Sequence, residues 1–357
     1  MVIDATPKEG EIMKEVFAQN LKSARKIARL SMDALASKVG ISKQAISKYE
    51  KGLMLPDGKV LFSLAKALGV KSDFFFRSHE VVLQNVEYRK RKSVGKKDIE
   101  AIKEQAMDFL RRYLELERIL GISSKFRNPL AGNSIKSLDD VEDAANELRK
   151  IWKLGNNLIP NVIELLENNE IKVYEIDEDN NFDGFCATVD GIPLVVVNKK
   201  FDAERKRFTS LHELAHLLLK LPEDFREKER EKYCHRFANA FLVPKSVFLQ
   251  ELGSNRKAVT LEEVIAMKEK YGISVQAIMQ RAKDLGVISE QYFIQFRMFI
   301  AKNREEKGLG QYEGKEESSR FRSLLNKAAA EEIISMGKAA NLANMTLSKF
   351  REEFQVI

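Results

Sequence analysis

The chain has 357 residues, 44% hydrophobic and 32% charged, with a formal net charge of +7. That apolar content excludes a wholly disordered chain, and the length suggests two or three domains at ~100–200 residues each. No run approaches the ~18 apolar residues of a membrane span, the first residues show no signal-peptide core, and two cysteines, Cys186 and Cys234, cannot build a disulfide framework. The expectation is a protein of the reducing cytoplasm with no membrane partner.

The charge is uneven. Residues 1–100 carry 20 Lys+Arg against 12 Asp+Glu, whereas the remaining 257 carry 40 against 41. All of the excess positive charge therefore lies in the first hundred residues, which points to an anionic partner there, nucleic acid first. Residues 12–76 read as a string of short helices. One helical pattern covers 21–30. Ser31 is placed to cap a second, 32–39, whose buried stripe is Leu35, Ala36 and Val39. Gly40 permits a sharp turn, and Ser42 caps a third helix, 43–51, with Ala45, Ile46 and Tyr49 facing inward. A glycine-terminated helix followed by a second capped helix is the geometry that projects a helix into a major groove. Its outward residues Lys43, Gln44, Ser47 and Lys48 all donate hydrogen bonds, and Gln pairs bidentately with adenine. Lys22, Arg25, Lys26 and Arg29 on the preceding helix suit phosphate contacts.

The run GISKQAISKYEKGLMLPDGKVLFSLAKALGV resembles the helix-turn-helix of the phage-repressor-like XRE regulators. Met32 stands where members of that family commonly carry Gln, so one contact expected of the family is missing. The resemblance implies binding to double-stranded operator DNA, and dimerisation follows because one recognition helix reads only a half-site.

Residues 81–97 are strongly basic with a Ser-Val-Gly break and suit a connector. From 98 to 120, apolar residues recur at helical spacing through Ile102, Ala106, Phe109, Leu110, Tyr113 and Leu116. This helix, roughly 35 Å long at 1.5 Å per residue, is read as a spacer between domains or as one helix of a bundle. Residues 121–133 read as a loop. A helix begins near Ser137, with Asp140 as its capping partner, and another follows Pro160. The period then changes: 171–176, 182–189 and 192–198 read as strands of a small antiparallel sheet, with Asp190-Gly191 as a tight hairpin turn. Residues 302–318, charged and glycine-rich, read as a mobile loop. The segments 261–271 and 328–342 read as helices of an otherwise helical C-terminal third.

The segment RFTSLHELAHLLLKL holds His212-Glu213-Leu214-Ala215-His216. On a helix, positions four apart share a face, so both imidazoles converge on one cation and Glu213 reaches a water beside it. Two histidines and a carboxylate leave zinc one coordination position for water, whose proton a neighbouring carboxylate can take. Only four histidines occur, at 79, 212, 216 and 235, so the pattern is specific. Asp224, Glu227, Glu229, Glu231 and His235 are all candidates for the third ligand, and periodicity does not choose among them.

HELAHLLLK followed by EKYCHRFANAFLVP resembles the ImmA/IrrE zinc-dependent endopeptidases, and the likeness runs over roughly residues 145–250. It implies Glu231 as the third ligand. His235 stands in the family's asparagine position, as a competing ligand or a stabiliser of an oxyanion, and Ala215 replaces a glycine common in the motif. Taken together, the expected fold class is mainly α with a small β-sheet (α+β). The expected divisions are a helix-turn-helix bundle at 12–80, a connector and helical spacer at 81–130, a zincin-like metallopeptidase domain at 131–255, and a helical C-terminal extension at 256–357. The expected activity is a transcriptional regulator that cleaves itself or a partner repressor. The alternative is an antitoxin-like autorepressor of a toxin–antitoxin or mobile-element operon, whose zinc domain binds a protein partner such as a toxin without cutting it. The strand just before the metal helix, 192–198, reads either as an edge that holds an extended peptide by backbone pairing or as a strand covered by its own hairpin.

Overall fold

The computed structural model describes residues 9–77, 86–88, 95–123, 125–178 and 182–354. In chain order the elements are α1 Glu9–Ile27, α2 Met32–Val39, α3 Lys43–Glu50, α4 Gly58–Leu68, a 3-10 turn Ser72–Phe76, β1 Val86–Tyr88 and α5 Lys96–Ile119. Then come α6 Leu138–Ile151, α7 Val162–Asn168, β2 Lys172–Ile176, β3 Gly184–Val189, β4 Ile192–Asn198, α8 Ala203–Leu218 and α9 Glu227–Leu242. The remainder is α10 Lys245–Leu252, α11 Leu261–Tyr271, α12 Val275–Asp284, α13 Glu290–Ile300, α14 Arg320–Ala330, α15 Met336–Leu342 and α16 Leu347–Glu353. No helix among the described residues is long and apolar enough to cross a membrane. Most of the expected basic connector lies outside the described residues.

The described residues fall into two compact units, the first within 1–83, 92–122 and 328–357, the second within 84–91 and 123–327. In the first unit, Ser31, Ser42 and Asp57 each accept a backbone N–H at the start of α2, α3 and α4. Gly40 closes α2 at φ +76°, a left-handed conformation that costs glycine little. Phe17, Leu21, Leu35, Ile46, Leu64 and Phe75 form the core of these helices. The expected spacer helix, α5, buries its stripe from Ala101 to Leu116 and packs on α1, so of its two readings the bundle helix is the one the structure takes. The last two helices belong to this unit as well, with Arg112 donating to the Leu342 carbonyl at 2.6 Å. Residues 328–342 are not one helix. The chain breaks after Ala330, passes Glu332 at φ +54° and restarts behind the cap Ser335.

In the second unit the sheet order is β1-β3-β4-β2. Asp190 and Gly191, both at positive φ, make the β3–β4 hairpin. The expected antiparallel sheet is in fact mixed, because β2 pairs parallel with β4. Continuous burial from Pro193 to Asn198 marks β4 as a central strand covered on both sides. That overturns the peptide-holding reading of 192–198, since both edges of β4 are already paired. β1, which hydropathy did not reveal, covers the outer side of β3.

The glycine-rich stretch 302–318, expected to be mobile, is instead packed. Glu306 accepts the backbone N–H groups of Val275 and Gln276 at the start of α12, at 2.9 Å each, and Glu316 accepts that of Ile163 near the start of α7 at 2.6 Å. Its irregular backbone is held because buried carboxylates fill helix N-termini whose donors have no partner within their own helix.

Candidate metal centre

α8 lies against β3 and β4 and places one face of its sequence in the core through Leu211, Leu214, Ala215 and Leu218. The same periodicity brings His212 and His216 side by side, with their Nε2 atoms 3.1 Å apart. α9 crosses α8 and supplies Glu231, whose two carboxylate oxygens lie 3.2 Å from the Nε2 atoms of His212 and His216. Among the described residues these three form a group whose ligand atoms all lie within 4.8 Å of one another. Burial pushes the Glu231 carboxyl up, but hydrogen bonds from both histidines and their charge outweigh that and hold it well below the usual carboxylate range. Two imidazole nitrogens and one ionised carboxylate, all pointing at one spot, are a donor set that fits a divalent cation of the zinc type.

Of the other ligand candidates, Glu229 is engaged as the cap of α9, accepting the Arg226 N–H at 3.1 Å. His235 does not join the convergent group. Its exposed ring stacks on Phe208 with centroids 5.7 Å apart and lies 4.5 Å from the His212 ring.

Glu213 is buried against the start of β3. A Cβ added at Gly184 would stand 2.6 Å from the Val196 carbonyl, 2.8 Å from Thr209 Cγ2 and 3.7 Å from Glu213 Cγ. Only glycine lets β3 approach α8 this closely, so Gly184 helps fix where Glu213 sits. Cys234, to which sequence reasoning gave no role, puts Sγ 3.4 Å from His216 Nδ1. Were Nε2 to hold a cation, Nδ1 would carry the proton and donate to that sulfur, which would set the ring's tautomer and orientation. Its signal was its place three residues after Glu231, on the turn of α9 that faces α8.

In the first unit Lys43, Gln44 and Lys48 are exposed and Ser47 is half-buried along one side of α3, whose opposite side buries Ile46 and Tyr49. Lys22 is exposed on α1. Three expected phosphate contacts are placed differently. Arg25 is drawn inward, Nε and Nη2 meeting the Glu50 carboxylate at 2.5 and 2.8 Å with the arginine side chain only 12% exposed. The pairing with Glu50 raises the Arg25 pKa further still, against the opposing effect of burial. Lys26 pairs with Glu104 at 2.6 Å and Arg29 with Asp98 at 2.6 Å, so both face α5. Two elements draw these cations in: Glu50 at the end of α3 takes Arg25, and acidic side chains of α5, far away in sequence, take Lys26 and Arg29.

Residues 21–75 match the helix-turn-helix family, and residues 167–283 match the IrrE N-terminal-like domain of the M78 peptidase family. The HTH-type transcriptional regulator MJ0272 of Methanocaldococcus jannaschii is 41% identical over 56 residues, which are 16% of this chain and 85% of that protein. The chain belongs to the XRE-type helix-turn-helix regulators. It joins a helix-turn-helix domain of that type to an IrrE-like domain of the M78 peptidase family. The HTH-type transcriptional regulator YqaE of Bacillus subtilis is 36% identical over 72 residues, 20% of this chain and 62% of that relative's length. The apo form of the competence regulator ComR from Streptococcus vestibularis aligns over 96% of this chain and 97% of its own, with 12% identity and a TM-score of 0.18, a likeness too slight to carry an argument.

Proposed function

We propose that this regulator binds operator DNA as a homodimer and that its IrrE-like domain is a zinc-dependent endopeptidase that cuts the regulator itself or a partner repressor, relieving repression. The observation that carries the reading is the convergence of His212 Nε2, His216 Nε2 and the Glu231 carboxylate, with Glu213 next to the first of them. Those three residues would hold the ion. A divalent cation there supplies Lewis acidity to a scissile carbonyl and makes water nucleophilic near neutral pH. Glu213 takes a proton from the attacking water and returns it to the departing amide nitrogen. The water oxygen ends in the new carboxylate, and the C–N bond breaks to leave an amine. His235, one helical turn from Glu231, would hydrogen-bond the oxygen that gains negative charge as the water adds. On α3, Lys43, Gln44, Ser47 and Lys48 face the major groove, and Lys22 takes a phosphate.

Replacing Glu213 with Gln tests the enzyme reading. Zinc content and operator affinity should stay, while fragments of the regulator or its partner disappear and a reporter remains repressed. If the wild type yields no fragment and the substitution changes no reporter output, the antitoxin-like reading replaces it: an autorepressor whose metal domain binds a protein partner without cutting.

A further inference from the structure

A cavity of about 1010 Å³ opens beside the metal ligands, with Glu231, His235 and Asn239 along one wall on α9. Its carboxylates are already engaged. Glu306 accepts two backbone N–H groups of α12, Glu204 accepts the Tyr312 N–H, and Asp284 sits between Arg236 and Lys283. Arg236 and Lys268 are likewise occupied, by Glu142 and Glu306. Three cations of the lining, Lys228, Lys232 and Arg304, have no partner among the described residues and are exposed. Free positive charge is thus grouped at Lys228, Lys232 and Arg304, while Asp202, Glu229 and Glu305 hold negative charge elsewhere on the lining, a pattern that suits a locally placed acidic side chain.

A second observation is independent of charge. Asn239 is 3% exposed, and its Oδ1 has no hydrogen-bond partner among the described residues. A buried acceptor left without a donor is costly, so it marks a place where a bound molecule is expected to donate. Asn239 lies two turns of α9 beyond Glu231, about 12 Å along the axis at 1.5 Å per residue. That distance is about four residues of extended chain. A peptide backbone supplies N–H donors at that spacing. A nucleic-acid strand is a poorer fit, because its unbroken row of phosphates would run past Glu229, Glu305 and Asp202, which also line the cavity.

We infer that this cavity is the recognition site for an acidic, extended peptide segment. Lys228 and Lys232 pair with an Asp or Glu side chain close to the scissile bond, and Arg304 faces the same segment from the 302–318 stretch. The amide of Asn239 accepts a backbone N–H about four residues away. The inference rests on the peptidase reading for its place beside the reacting bond, and its readout is binding, so the two can fail separately.

The probe is a set of labelled, end-capped dodecapeptides carrying Asp-Glu, Asn-Gln or Lys-Lys at one moving position. They are titrated into the full-length, zinc-loaded Glu213→Gln protein, and anisotropy is recorded. Acidic members should bind at least about 10-fold more tightly than their basic counterparts. The double change Lys228→Glu/Lys232→Glu should reverse that order, and Asn239→Leu should weaken binding about 10-fold without changing zinc content, the size of one hydrogen bond. Equal binding of acidic and basic peptides, no peptide binding at all, or insensitivity to these substitutions overturns the inference. So does equal competition by a single-stranded oligonucleotide of matching charge. Acidic peptides that bind through these residues to a protein whose wild type never cuts would sink the hydrolysis reading and leave the recognition site standing.

Discussion

Arg207 and Glu316 meet in the interior of the second unit, Nη1 donating to Oε2 at 2.9 Å with side chains 2% and 0% exposed. The remaining guanidinium donors reach the carbonyls of Ile159, Tyr271 and Gly272, so one arginine on the metal helix fastens three other segments. Breaking such a pair leaves an uncompensated buried charge, at a cost of about 3–5 kcal/mol. Glu316→Ala should lose that much in urea unfolding followed by tryptophan fluorescence. Glu316→Gln, which still accepts the Ile163 N–H, should lose clearly less. Equal losses would mean that the missing charge accounts for the whole effect and that the bond to the Ile163 N–H contributes nothing measurable.

Gly184→Ala puts a methyl group inside the contact distance of Val196 and Thr209. Overpacking of this kind costs about 1–3 kcal/mol. Because α8 has to move for the methyl to fit, cleavage should fall more than zinc affinity does, as read by side-by-side activity and calorimetric titrations. A variant with wild-type turnover would show that Glu213 is placed without help from β3.

Cys234→Ala removes the sulfur beside His216 Nδ1. Loss of a group that orients a metal-bound histidine weakens metal binding about 10–100-fold. Competition with a zinc-responsive chelator measures it, and Cys234→Ser, which retains an acceptor, should recover most of the affinity. If alanine and serine behave alike, the thiol is packing only.

The corrected phosphate contacts make the DNA side testable. Lys22→Ala should lower the slope of log affinity against log salt by about one, and Gln44→Ala should cost about 1–3 kcal/mol with relaxed base preference. Arg25→Ala should act otherwise, destabilising the unit by about 3–5 kcal/mol through the stranded Glu50 carboxylate. Operator titrations between 50 and 200 mM salt, paired with urea melts, separate the two behaviours. A reduced salt slope with unchanged stability in Arg25→Ala would return that residue to the DNA surface.

Asp140 accepts the backbone N–H groups of Lys136 and Ser137 at 2.8 and 2.7 Å, which hold its carboxyl below the ordinary value of 3.8. A depressed folded value means that ionised Asp140 contributes stability, present in full above 3.8 and lost as pH falls through the lowered value. Asp140→Asn should therefore be less stable than wild type at pH 7, with the gap closing as the solution is acidified below that range. A gap independent of pH would assign the effect to shape and not to charge.

Much of the local structure was legible from the chain alone. Ser31, Gly40 and Ser42 announce two helices and a turn, because capping depends on a few neighbouring atoms. Asp190-Gly191 announces a hairpin for the same reason, and His212 and His216 share a face by the helical repeat alone. Periodicity did not choose among the candidates for a third ligand, because a loop separates Glu231 from His216; only the likeness to the ImmA/IrrE peptidases singled out Glu231, which the structure brings beside both histidines.

Sequence by itself settled what each segment is: which stretches are helical, where two imidazoles align, which part is basic. Tertiary packing decided which segments are neighbours, and with that the parallel pairing of β2 with β4, the inward turn of Arg25 to Glu50, and the fixing of 302–318 through Glu306 and Glu316. The physical reason is range. Caps, turns and helical faces arise from contacts within a few residues, whereas strand order, ion pairs and a cation site join groups far apart in the chain, where position depends on the whole core.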